Sequence, residues 1–329
     1  MKRSVIGALV VQSARRLSTG ASGKVPRLQE VGKLDTPKQQ GKYEAGQFFL
    51  HKVFAYRGVV LFPWVARVFD RDVEGKHEAG LSNGDNKKKQ DYPPSPAHNL
   101  KGESQVYYQT LIDGRDFLYI KAQPEAVTFL ADNESTLYSL PGLDYVSHDD
   151  ILPYDPSDKQ PLQHELFDKF LVPNPRKNGV PPYVARDALY AWQSKNHKWL
   201  ELTDIHRETT EGIRVTVMPF YMGCRESQQL PIYWWRYCIR IENLTPEKVQ
   251  LRERHWRIFS LSGTLETVRG RGVVGQEPIL SPRAPAFQYS SHVSLQSTSG
   301  HMWGTFGMER QDGYTFECRI PAFSLESKH

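Results

Sequence analysis

The sequence predicts a mainly β protein in three parts: a small β-barrel domain, a short helical bridge and a C-terminal β-sandwich. Strand-like runs separated by turn residues fill residues 44–155. Apolar residues at steps of four then mark 161–200, and period-two alternation returns after 205. At 329 residues the chain is long enough for two domains with cores of their own.

The first 22 residues, MKRSVIGALVVQSARRLSTGAS, hold Lys2, Arg3, Arg15 and Arg16 and no acid before Glu30. That is the composition of a mitochondrial presequence, with Arg15-Arg16-Leu17-Ser18 placing cleavage after Leu17. A secretory signal is the alternative, because a basic start precedes the apolar run 5–11. Two arginines straight after that run, and no Ala-x-Ala site, count against it. Residues 23–43 read as a polar linker. The expected location is the mitochondrial matrix.

The net charge of +5 is unevenly spread: residues 1–42 carry +7, residues 43–204 carry −5 and residues 205–329 carry +3. A strongly electrostatic nucleic-acid binder spreads a basic face over a folded domain, and this distribution provides none in bulk. No apolar run approaches the roughly 20 residues of a membrane helix.

In the first domain, "QFFLHKVF" and "RGVVLF" flank an expected turn at Tyr56-Arg57-Gly58. Residues 82–102, "SNGDNKKKQDYPPSPAHNLKG", hold almost no large apolar side chains and read as a disordered insertion. Lys87, Lys88 and Lys89 belong to its solvated tip rather than to a phosphate site. "QVYYQTLI" and "RDFLYIK" are joined by Asp113-Gly114, which predicts a hairpin with positive φ at both turn positions.

The bridge, residues 156–204, is predicted to hold two helices. "PLQHELFDKFL" puts Leu162, Leu166 and Phe170 on one face, with Pro161 acceptable in the first turn. "VARDALYAWQSKNHKW" aligns Val184, Ala188 and Trp192, or alternatively Ala185, Leu189 and Trp192, after a turn in "VPNPRKNGVPP". In the sandwich, Tyr237, Ile239 and Ile241 alternate against polar neighbours, as do Tyr314, Phe316, Cys318 and Ile320.

Gly270, Gly272 and Gly275 have the GxGxxG spacing of a dinucleotide turn. That site needs a helix opening at the glycines, and Pro282 would interrupt it. The glycines are therefore expected at strand bends and a tight turn, with no cofactor. His164-Glu165 begins a zinc-protease motif that Asp168 breaks, and neither GxSxG nor GxxxxGK[ST] occurs. Asp149/Asp150 and Asp113/Asp116 sit beside turns, where Asp caps or faces solvent. His255 and His292 fall within strands as packed or surface residues. Cys224, Cys238 and Cys318 form no Cys-x-x-Cys pair and read as free thiols of a reducing compartment. No catalytic group, metal or cofactor is expected.

Recognition chemistry stands out instead. "IYWWRYCIRI" and "LRERHWRIF" interleave tryptophan with arginine, the residues that dominate interfaces. Trp234, Trp235, Arg252, Arg254, Arg257 and Arg271 form the candidate partner surface. In the alternative reading the aromatics fill the core and the arginines coat its outside. Arginine beside aromatic faces also suits single-stranded nucleic acid.

"VQLRERHWRIFSLSGTLETVRGRGVVGQEPILSPRAPAFQYSSHV" and the closing "IPAFSL" resemble the ApaG family over residues 206–325. The resemblance implies an immunoglobulin/fibronectin-type sandwich that carries the glycine motif without a dinucleotide fold. "AGQFFLHKVFAYRGVV" and "VYYQTLIDGRD" resemble the YccV/HspQ family, known for binding hemimethylated DNA and for adaptor work with a protease. The two domains in this order resemble a family of non-enzymatic adaptors of the mitochondrial matrix and the nucleus. That resemblance implies as partners a DNA polymerase delta subunit, the sliding clamp, a primase-polymerase and the matrix ClpX unfoldase. It also implies a role in synthesis past DNA lesions. The alternative is a DNA-binding accessory protein acting through the arginines of the ApaG-like domain.

Overall fold

The structure, a computed structural model, describes residues 10–11, 29–72, 101–117, 120, 122–123, 125–129, 137–176, 179–196, 200, 203–227 and 229–328. The expected presequence site at Leu17 and Ser18, and all but the last two residues of the expected insertion at 82–102, lie outside the described residues. The chain divides into two units that interleave along the sequence. One comprises Met1–Pro63, Tyr107–Ile120 and Asp144–Trp192; the other comprises Trp64–Val106, Lys121–Leu143 and Gln193–His329.

The strands of the first unit are β1 (Phe48–His51), β2 (Arg57–Asp70), β3 (Glu103–Ile112), β4 (Leu143–Ser147) and β5 (Ile151–Pro156). Within that unit the sheet order is Gly32–Leu34, β5, β1, β2, β3, β4. Phe48, Phe49, Val59 and Val60 are all fully buried, so β1 and β2 are apolar on both faces. Gly58 is required there, because a Cβ would stand 2.6 Å from the Phe49 ring.

Three local expectations are corrected in this unit. The β1–β2 turn falls at residues 52–55, with Ala55 at φ 55. It forms one step early because the His51 imidazole accepts hydrogen bonds from the Val53 and Phe54 amides at 3.1 and 3.2 Å. This leaves Arg57 and Gly58 inside β2. Asp113-Gly114 makes no hairpin either: Asp113 has φ −66 and caps a 3-10 turn, Gly114–Asp116, through the Arg115 amide. The cause is charge. Asp116 accepts from Arg57 Nε at 2.9 Å and Nη2 at 2.7 Å, and Asp113 is fully buried beside the same guanidinium. Finally, "PLQHELFDKFL" yields only the single turn α1 (Phe167–Phe170), although Leu162, Leu166 and Phe170 are all buried as their spacing indicated. The later helix, α2 (Asp187–Asn196), starts later than its pattern: Val184 and Ala185 lie in the short strand Tyr183–Ala185 and Ala188 is exposed, so of the two expected faces only Leu189, buried, and Trp192, 5.2 Å from Phe170, are kept.

The second unit is a β-sandwich. Its strands are β6 (Thr203–Thr210), β7 (Ile213–Ser227), β8 (Leu230–Asn243), β9 (Val249–Ser260), β10 (Leu265–Arg271), β11 (Ala286–Leu295), β12 (Ser299–Arg310) and β13 (Thr315–Glu326). One sheet runs β6, β7, β8, β11, and the other runs β10, β9, β12, β13. Between them lie Val215, Val217, Tyr237, Ile239, Ile241, Trp256, Phe306, Cys318 and Phe323, a single apolar core. The alternation in β8 and β13 faces the core as read, except that Tyr314 lies in the preceding turn, about half exposed.

The end of β2 also belongs to this unit. Residues 66–70 pair in parallel with 203–207. Asp72 fixes the register by accepting from the Thr209 amide at 2.8 Å, and Arg71 donates to the Ala322 carbonyl at 3.1 Å.

Candidate partner surface

The glycine turn closes the end of β10. Ser260 N donates to Thr264 O at 2.9 Å, and Gly272 N to Arg252 O at 2.8 Å, so β10 is welded to β9 at both ends. No helix opens at the glycines: β10 ends at Arg271, and Val273 and Gln276 exchange two backbone bonds in a tight turn. Gly272 and Gly275 have φ of 57 and 76, and a Cβ on Gly272 would lie 2.1 Å from Gln276 O.

Three of the candidate arginines belong to this turn. Arg254 donates from Nη1 to Arg271 O at 3.0 Å and to Gly272 O at 2.8 Å. Arg252 pairs with Glu309 at 2.6 Å and Glu277 at 3.1 Å. Arg271 pairs with Glu277 at 2.9 Å, its side chain still 79% exposed. Arg254 is therefore corrected from partner surface to turn clamp, while Arg252 stays at the surface, its side chain 40% exposed in ion pairs with two acids of its own domain. A shallow pocket of about 240 Å³ is lined by Lys248, Arg252, Ile279, Glu309 and Arg310, and its arginines are already ion-paired, Arg252 with Glu309 and Arg310 with Glu211 and Glu247.

The tryptophans divide as well. Trp235 is 1% exposed and donates its indole N–H to Glu326 O at 3.1 Å, so it is core, not surface. Trp234 is half-buried on the opposite face of β8, its ring 5.7 Å from His292. Cys238 and Cys318 are buried and Cys224 is exposed. Burial pushes the Cys318 thiol up to about 12.

What remains exposed is β10 itself. Every residue from 261 to 269 is exposed, and among the described residues β10 is the edge of its sheet. Antiparallel pairs alternate between bonded and non-bonded positions. The Ser260–Thr264 bond fixes the phase, so with the observed register Gly270, Val268 and Glu266 bond to Arg254, Trp256 and Ile258. Leu265, Thr267 and Arg269 then aim their backbone N–H and C=O groups away from β9.

The same parity sorts the side chains. Trp256 and Ile258 face the core, so Arg257 and His255 lie on the outer face, opposite Thr267 and Arg269. Trp303, cross-strand from Arg257, lies outside the core cluster but is buried, 7% exposed, and offers no contact surface of its own. Of the sequence candidates, Arg257 and Arg271 share the outer face. Thr267 and Arg269 were not singled out, although "LETVRGR" carries its own signal: a strand-like heptad with charged residues and a late glycine, the mark of an edge. Among the described residues, no cluster of three or more His, Cys, Asp or Glu side chains is placed to hold a metal ion, and no helix is long and apolar enough to cross a membrane.

The sandwich with its glycine turn defines an ApaG-domain protein, and residues 224–310 match the ApaG domain family. Protein ApaG of Rhodospirillum centenum is 46% identical over 125 residues, which are 38% of this chain and 95% of that protein. Polymerase delta-interacting protein 2 of Mus musculus is 62% identical over 315 residues, 93% of this chain and 81% of that protein. The Homo sapiens protein of the same name is 62% identical over 313 residues, with the same coverage. The chain belongs to the polymerase delta-interacting protein 2 family.

Proposed function

We propose that this chain is a non-enzymatic protein–protein adaptor. The observation that carries the reading is the identity along 93% of the chain to proteins named for their interaction with polymerase delta. A DNA polymerase delta subunit is accordingly the first proposed partner. The sliding clamp, a primase-polymerase and the ClpX unfoldase follow, with support of synthesis past DNA lesions as the process served. The acid-free, arginine-bearing start supports a site of action in the mitochondrial matrix; a second pool in the nucleus is proposed from the family resemblance alone.

The test isolates the tagged full chain from mitochondria and from nuclei and identifies bound proteins with and without nuclease. Polymerase or unfoldase subunits that survive nuclease are the expected result. Their absence from both preparations overturns the reading.

Arg257, Arg269 and Arg271 on one sheet face favour a second reading, a DNA-binding accessory protein. It requires affinity for duplex, forked or single-stranded DNA that falls steeply with salt. Partners lost on nuclease treatment would point the same way.

A further inference from the structure

We propose that β10 is a strand-addition site: it binds an extended, acidic segment of a partner protein as one more antiparallel or parallel strand of the sandwich. The inference deepens the adaptor reading and rests on it for the existence of a protein partner.

Leu265, Thr267 and Arg269 present outward N–H and C=O groups, and the strand is exposed along its length. A bare row of this kind is the template on which extended peptides add to sheets. The edge is neither capped by proline nor broken by a bulge, and β10 meets β9 in unbroken register from Leu265 to Arg271.

The side chains define the partner. A strand laid against β10 sets alternate residues on the outer face, beside Arg269, Arg257 and Arg271, and the others beside Val268. Arg269 has no ion pair among the described residues. The outer positions therefore take Glu or Asp, and the inner position takes an apolar residue against Val268, which is 40% exposed. A second copy is a poorer occupant, because pairing β10 with itself gathers the Arg269 and Arg271 of both copies on one face.

The parity also supplies a clean test. Thr267 N–H is an outward group, so Thr267→Pro removes a docking donor without touching the β9–β10 ladder, and proline is tolerated on edge strands. Thr267→Val keeps the donor. The probe is a ten-residue amidated peptide alternating Val and Glu, with Lys for Glu as its counterpart, added to the full chain. Amide exchange and peptide affinity are read together.

The wild-type chain and Thr267→Val are expected to bind the Glu peptide within twofold of each other, slowing exchange at the Leu265, Thr267 and Arg269 amides. Thr267→Pro loses at least tenfold in affinity. Arg269→Glu reverses the preference between the two peptides, a readout that general unfolding would not produce. No binding at about 1 mM Glu peptide, equal binding by Thr267→Pro, or slowed exchange that depends on protein concentration without peptide would each overturn the proposal. If nuclease-resistant partners are still captured in full by Thr267→Pro, the adaptor reading stands and the strand-addition site falls.

Discussion

The guanidinium of Arg254 lies across Gly270: a Cβ at that position would meet its nitrogens at 3.0–3.1 Å, while Nη1 holds the carbonyl of Gly272 at 2.8 Å. The three glycines therefore answer three different demands. Gly270 makes room for a side chain, Gly272 takes a left-handed turn against a backbone oxygen, and Gly275 needs only its positive φ. Alanine substitutions should rank accordingly. Gly272→Ala is expected to be the most destabilising, by about 2–4 kcal/mol. Gly275→Ala should cost about 1–2 kcal/mol, as read by urea unfolding of the full chain.

Arg254 and Arg252 should separate in the same assay. Arg254→Met leaves two carbonyls of the turn without a charged donor, with an expected loss of about 2 kcal/mol. Arg252 makes exposed ion pairs with Glu277 and Glu309. Arg252→Met should barely move the midpoint, and the small difference should vanish in high salt. Equal effects would refute the division between clamp and surface.

In the first unit, Arg57 is buried between two buried carboxylates, Asp113 and Asp116. Burial disfavours its charge, but the bonds and charges of Asp116 and then Asp113 more than offset that and raise its pKa. Arg57→Met strands Asp116, while Asp113 keeps its ion pair with Arg115, and should destabilise by about 3–5 kcal/mol. Adding Asp116→Asn should recover much of the loss.

His206 is buried and stacks on Phe69 with ring centroids 5.3 Å apart, and its Nδ1 has no hydrogen-bond partner among the described residues. Desolvation, then the charges of Arg71 and Arg67, lowers its pKa from 6.5 to about 3. The folded imidazole stays neutral while the unfolded one takes up a proton below 6.5. Stability should therefore fall as pH drops through the window from 6.5 to 3, by up to about 1.4 kcal/mol per pH unit. His206→Phe should remove that component of the slope; an unchanged profile would show that the imidazole is solvated.

Thiol labelling gives a quick check of the sandwich. With Cys238 and Cys318 buried and the Cys318 thiol hard to ionise, only Cys224 should react promptly with iodoacetamide under native conditions.

Where alternation is unbroken the sequence is a faithful guide: Tyr237, Ile239 and Ile241 lie in the core their period assigns. It misleads where a local signal meets a distant partner. Asp113-Gly114 has the chemistry of a hairpin, but Arg57, far off in the chain, draws both nearby acids inward. Leu162, Leu166 and Phe170 are buried on the right spacing in a backbone that is mostly not helical. The arginines of "LRERHWRIF" fail for a subtler reason. A bulge between Leu251 and Glu253 shifts the parity, so Arg254 turns inward with Trp256 while Arg257 stays outside. One extra residue in a strand changes the face of everything after it, and no periodicity announces it. The exposed edge was legible only in part: charged residues and a late glycine in "LETVRGR" mark an edge strand, but which sheet it ends is decided by topology.

The parallel pairing of residues 66–70 with 203–207 has a kinetic consequence. Partners 137 positions apart, as Asp72 and Thr209 are, close a very long loop, at an entropic cost of about 4 kcal/mol. The sandwich must wait for a segment made long before it, so its refolding should be slow, as non-local topologies are. A fragment begun at residue 205, where the pattern on paper starts, would leave Thr203–Thr210 truncated and paired on one side only, with Ile213–Ser227, its parallel partner at 66–70 being gone. Such a fragment would present a raw strand edge and invite aggregation, however complete its family match.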